Sequence, residues 1–87
     1  ERQAKDAMER GDITRAGQFY EQLMGSEKAS DDDKVRYALG LAEALRRSGK
    51  NEAALDAYEA VLKERPKNLD AQEGRALTLM AMGKAVD

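Results

Sequence analysis

The densest group of potential ligands or acids in this chain is the triplet Asp31-Asp32-Asp33. A calcium loop would need oxygens at alternating positions around a glycine and a glutamate to close it. No glycine follows the triplet at the right place and no glutamate closes it, so capping of a helix is its expected use. Other carboxylates could act as general acid and base, but nothing gathers them with a polarising group. His and Cys are both absent, which removes the imidazole base, the thiolate nucleophile and the usual zinc ligand sets. The glycines at 11, 17, 25, 40, 49, 74 and 83 never cluster into a phosphate-cradling loop. The inventory therefore calls for no metal or cofactor and disfavours an enzyme.

What is left must act through surfaces, and composition limits which. Eighty-seven residues suit one small folding unit, burying roughly 60–65% of its unfolded surface. Lys and Arg total 15 against 17 Asp and Glu, a formal net charge of −2. A nucleic-acid or anionic-membrane surface needs a basic excess that this balance does not supply. No apolar run approaches the roughly 20 residues of a membrane span, and no signal-peptide core is visible.

The elements available to position a surface are helices. Ala, Leu, Glu, Arg, Lys and Met dominate, β-branched residues are scarce, and there is one Pro. Val35, Ala38, Leu41, Ala42 and Leu45 recur at steps of three and four, marking one helical face. Ser30 with Asp33 three residues on reads as a capping box, and Asp31 and Asp32 sit where a helix dipole favours anions. Gly49 supplies a left-handed stop. Asn51 is then expected to cap a helix whose inner face is Ala54, Leu55, Tyr58, Val61 and Leu62, closed by Pro66. Before these, a short helix ends near Arg10, Gly11-Asp12 makes a turn, and Ile13, Ala16, Tyr20, Leu23 and Met24 line a second helix. Asn68 caps a fifth, running through Leu79 and Met82 to Gly83. The one looser joint is Gly25 to Ser30.

The helix-ending glycines reveal a period. Gly11 and Gly49 are each followed by an alanine and, four residues later, a tyrosine: Ala16 and Tyr20, Ala54 and Tyr58. Ala4, Ala42 and Ala76 stand seven residues before Gly11, Gly49 and Gly83; Ala7, Leu45 and Leu79 stand four before. The central stretch runs Ala38-x2-Leu41-Ala42-x2-Leu45, then Ala54-x3-Tyr58, then Pro66. In this the chain resembles the tetratricopeptide repeat family, whose 34-residue helix pair carries W-x2-L-G-x2-Y, A-x3-F and P at those places. The alternative is a plain helical bundle. Ala38 replaces the family's large aromatic, Arg75 its leucine in the last unit, and Lys28 the closing proline of the first. Small Ala42 and Ala54 are expected to let two helices approach, with Tyr58 and Leu45 filling the space beside them.

The resemblance implies an all-α, right-handed superhelical solenoid of antiparallel helix pairs, five helices in all. Residues 1–30 would be a partial first repeat with its loop, 31–68 a complete central repeat, and 69–87 the first helix of another. It further implies a concave groove, lined by first helices, that holds a peptide or a partner helix. Carried onto this chain, the groove residues are Lys5, Met8 and Glu9; Arg36, Leu39, Glu43, Arg46 and Arg47; and Glu73, Leu77, Met80 and Ala81. One subgroup of the family grips chaperone C-termini with a Lys/Asn/Arg clamp. Here Glu1, Leu39, Gly40, Glu73 and Gly74 stand at the relevant faces, so that partner is not expected. A pentatricopeptide-type RNA binder would need a basic groove, whereas here bases alternate with acids.

Between Ala76 and Met82 only Thr78 is polar, so the last helix is apolar nearly all round. A terminal helix of an array normally shows a polar outer face, which leads to the expectation of a longer array or of self-association through this helix. An oligomerisation or spacer segment is thus the alternative to a peptide-binding scaffold. In style, rich in Ala, Arg and Glu with Gly-Lys and Gly-Asp turns, the chain is similar to bacterial tetratricopeptide proteins of pilus assembly, secretion or other envelope complexes.

Overall fold

A computed structural model describes residues 2–83. Five helices follow one another: α1 (Arg2–Glu9), α2 (Ile13–Met24), α3 (Asp31–Arg47), α4 (Asn51–Glu64) and α5 (Leu69–Ala81). No strand occurs among the described residues. None of these helices is long and apolar enough to cross a membrane.

The joints are made by residues that satisfy free helix-end groups. Gly11 and Gly49 adopt φ of 81° and 82°, a left-handed geometry that costs glycine nothing. In the first turn the amide of Gly11 donates to the Met8 carbonyl and that of Asp12 to Ala7; in the second, Gly49 donates to Arg46 and Lys50 to Leu45. The two turns are copies, with one difference. Asp12 caps α2 by accepting from the Arg15 amide, while Lys50, at nearly the same backbone angles, offers no capping side chain to α4. The sequence reading assigned that role to Asn51, which instead forms the first residue of α4. At α3 the capping box forms as expected, with Ser30 Oγ accepting from the Asp33 amide and the Asp33 carboxylate from the Ser30 amide. Asn68 caps α5 through the Ala71 amide at 2.9 Å.

Each helix packs against the next in the chain, and α3 also meets α5. The molecule measures 37 × 28 × 16 Å, and its thin dimension admits two layers of helices spaced ~8–10 Å and no third. Its core is built on alanine: Ala4, Ala16, Ala42, Ala54 and Ala71, one from each helix, all have zero exposure. A methyl group fills little volume, so backbones approach closely and larger side chains lie beside the contact.

Those larger side chains form two clusters. Ala4, Ala7, Met8, Ala16, Tyr20, Tyr37 and Ala44 make one, joining α1, α2 and α3. The second joins α3, α4 and α5 through Ala42, Ala54, Tyr58, Val61 and Ala71. Sequence periodicity marks a single face on α3, but the helix is packed between α2 and α4 and serves both clusters. Leu41 packs on the first, while Val35, Ala38 and Leu45 pack on the second. Tyr37 and Ala44, absent from the expected face, are buried at 9% and 2% exposure.

Two close fits tie the layers together. The Tyr20 ring lies flush on Gly40 and the Tyr58 ring on Gly74; a Cβ built on either glycine would come within 2.4 Å and 2.2 Å of ring carbons. Each is a tyrosine of one helix seated on a glycine of the next.

Candidate functional site

Where α3 and α5 meet in front of α4, a cleft of about 330 Å³ opens. Gly40 on α3 and Gly74 on α5 both line it, and the Tyr58 ring of α4, lying on the bare backbone of Gly74, forms the floor. Leu39, Glu43 and Arg46 form the α3 wall, and Asp70, Glu73 and Leu77 the α5 wall. Both walls obey helix geometry: 39, 43 and 46 recur at steps of four and three, and 70, 73 and 77 at three and four.

Arg46 organises the floor. Its guanidinium reaches Glu43 at 3.9 Å and interacts with the Tyr58 hydroxyl, while its Nε is buried without a hydrogen-bond partner. Burial pushes the Tyr58 phenol above its ordinary pKa; the Arg46 hydrogen bond and charge pull against this, and the Glu43 and Asp70 carboxylates add to it. The phenol therefore stays a neutral donor and acceptor through the whole physiological range. Asp70 and Glu73 enter none of the ion pairs that the described residues form through Asp32, Asp33, Glu43 and Glu59. The cleft thus combines two leucines, a phenol, one engaged guanidinium and three carboxylates.

Five of the sequence-derived groove residues, Leu39, Glu43, Arg46, Glu73 and Leu77, line this one cleft. The others lie elsewhere. Met8 is corrected: it is 8% exposed and belongs to the first core cluster, because it sits beside Ala4 and Ala7 on the side of α1 that meets its neighbours. Lys5 and Glu9 are exposed on α1, remote in sequence from α5, and do not line the cleft. Arg36 lies earlier on α3, paired with Asp33 at 3.0 Å and stacked 5.3 Å from the Tyr37 ring centre. Arg47 is exposed at the end of α3, and Met80 and Ala81 are exposed beyond Leu77 on α5. Glu1, weighed for a carboxylate clamp, lies outside the described residues.

Tyr58 and Asp70 were not expected at the site. Tyr58 reads as a core residue and is one, at 4% exposure; its ring reaches the cleft by lying against the bare backbone of Gly74. Asp70 reads as a first-turn acid, but its spacing to Glu73 and Leu77 placed it on their face and could have signalled it. Two members of the aspartate triplet have structural roles: Asp33 completes the capping box of α3, and Asp32 pairs at 2.9 Å with Arg65, the residue after α4. Among the described residues no group of three carboxylates is arranged to hold a metal ion. No family model matches the chain, and no curated protein or solved structure matches it either.

Proposed function

We propose that this chain is a tetratricopeptide-like array of helix pairs that serves as a protein–protein interaction scaffold, holding an extended peptide or partner helix in the α3–α5 cleft. One observation carries the reading: five residues assigned to a common groove from the sequence line one open cleft with leucines on both walls. Pockets that mix apolar contact with a few directed polar groups suit peptide recognition. The copied glycine turns and the two tyrosine-on-glycine seats support a repeated unit, with 31–68 as the complete one and 1–30 and 69–87 as parts of others. A right-handed solenoid is the architecture this reading implies.

Selection of a displayed peptide library on the intact chain, with recovered clones rebound to Leu39→Asp and Met80→Asp, tests it. Clones are expected to lose binding to Leu39→Asp and to keep it with Met80→Asp, which is off the cleft. Retained binding by Leu39→Asp would remove the groove.

A second reading is a self-associating spacer. It is favoured by the position of the large exposed apolar residues among those described, Leu69, Leu77 and Met80, all on α5 at 77%, 40% and 65% exposure. Light scattering decides this one: a mass that rises with concentration, and falls back in Met80→Asp, supports self-association, whereas a constant monomer mass removes it.

A further inference from the structure

Resting on the groove reading, we infer a preference within it: the α3–α5 cleft takes a peptide segment that presents a lysine or arginine flanked by aliphatic side chains. The charges lining the cleft are unbalanced. Among the described residues Glu43, Asp70 and Glu73 share the cleft with one cation, Arg46, and Arg46 is already turned to Glu43 and the Tyr58 hydroxyl. Asp70 and Glu73 are left on the α5 wall with no lysine or arginine among the other cleft residues. A ligand anion there would meet three carboxylates across a space half enclosed by protein, where water screens less than in bulk.

The cation that fits is organic. Among the described residues no three carboxylates converge closely enough to chelate an ion, but carboxylates set along one helix wall can accept from the several N–H groups of an ammonium or guanidinium. Such a head arrives on an aliphatic stem, and Leu39 and Leu77, one on each wall, supply apolar surface for the stem and its neighbours. The Tyr58 floor adds an aromatic edge with a neutral hydroxyl that can accept a hydrogen bond. The occupant is thus argued from charge complementarity and the apolar walls together.

The test uses the whole 87-residue chain and libraries of short peptides. In each library the central residue is lysine, arginine, norleucine or glutamate, and the other positions are randomised. The variants are Leu39→Asp, the pair Asp70→Asn/Glu73→Gln, and the pair Glu21→Gln/Glu27→Gln, which changes net charge equally away from the cleft. Helicity by circular dichroism confirms that each is folded. The lysine and arginine libraries are expected to bind roughly three- to ten-fold more tightly than the norleucine library, the range two exposed ion pairs supply. That margin should vanish in Asp70→Asn/Glu73→Gln, persist in Glu21→Gln/Glu27→Gln, and shrink as salt shortens the Debye length toward ~3 Å. If norleucine or glutamate libraries bind as well, and still depend on Leu39, the cation preference is overturned and the groove stands. If no library distinguishes the native chain from Leu39→Asp, both are overturned.

Discussion

At Gly40 and Gly74 a single hydrogen in place of a side chain decides how two helices meet. A methyl group at either would stand 2.4 Å or 2.2 Å from a buried tyrosine ring, closer than packed carbons can come. Overpacking of this kind costs about 1–3 kcal/mol, against a gain in helix propensity of up to ~1 kcal/mol. Gly40→Ala and Gly74→Ala should therefore each lower stability by about 1–2 kcal/mol in urea titrations. Gly17, also within a helix, would place its methyl 3.7 Å from Leu41 and 3.8 Å from Ala44, ordinary contact. Gly17→Ala should raise stability by up to about 1 kcal/mol; a loss as large as at Gly74 would contradict the packing described. Tyr58 gives a second residue-scale outcome. Its folded pKa is raised above 10.0, mainly by burial. Its contribution to stability is then fully present below pH 10 and is lost as pH rises through the folded value. Denaturant midpoints should fall at alkaline pH, and Tyr58→Phe should flatten that fall even though it removes the Arg46 hydrogen bond. An unchanged alkaline profile in Tyr58→Phe would count against burial of the phenol.

Among the elements, the copied turns before α2 and α4 form a natural pair for measuring a cap. Asp12 accepts from Arg15 at 3.3 Å, while Lys50 at the equivalent place accepts nothing. Lys50→Asp should supply the missing acceptor and replace a cation at the positive end of α4 with an anion, stabilising by about 1 kcal/mol. A thermal midpoint that does not rise would show that α4 begins differently. At α3 the Ser30 amide, donating to the Asp33 carboxylate, is the largest influence holding that carboxyl below its ordinary 3.8. A depressed folded pKa gives stability that is present above the unfolded value and lost as pH falls through the folded one. Asp33→Asn should remove that acid-side slope, read from denaturant midpoints across acidic pH. α3 as a whole carries the other lesson of this scale. A single period of 3.6 describes a helix with one partner, and α3 has partners on two sides, so its Tyr37 stripe escaped the sequence pattern while its Ala42 stripe did not.

For the whole molecule, two clusters joined through α3 predict uneven stability. Each helix leans mainly on its neighbours in the chain, so losses should stay local. Met8→Ala, which opens the first cluster, should raise amide exchange in α1 and α2 well above the rise in α4 and α5; a uniform rise would indicate one indivisible core. The cleft belongs to this scale too, since it needs three helices at once. The sequence by itself determined that the chain is helical, and where its glycines, Ser30 and Asn68 stop and start the elements. Those follow from short-range physics: backbone freedom at glycine, unpaired amides at helix ends, and the spacing of side chains around one helix. Only the tertiary structure decided that Met8 turns inward, that Tyr58 becomes the floor of a cleft, and that Asp70 joins Glu43 and Glu73 around it. Which neighbour covers a residue depends on the crossing of helices distant in sequence, set by alanine contacts and by rings seated on Gly40 and Gly74, and no periodicity within one helix encodes that.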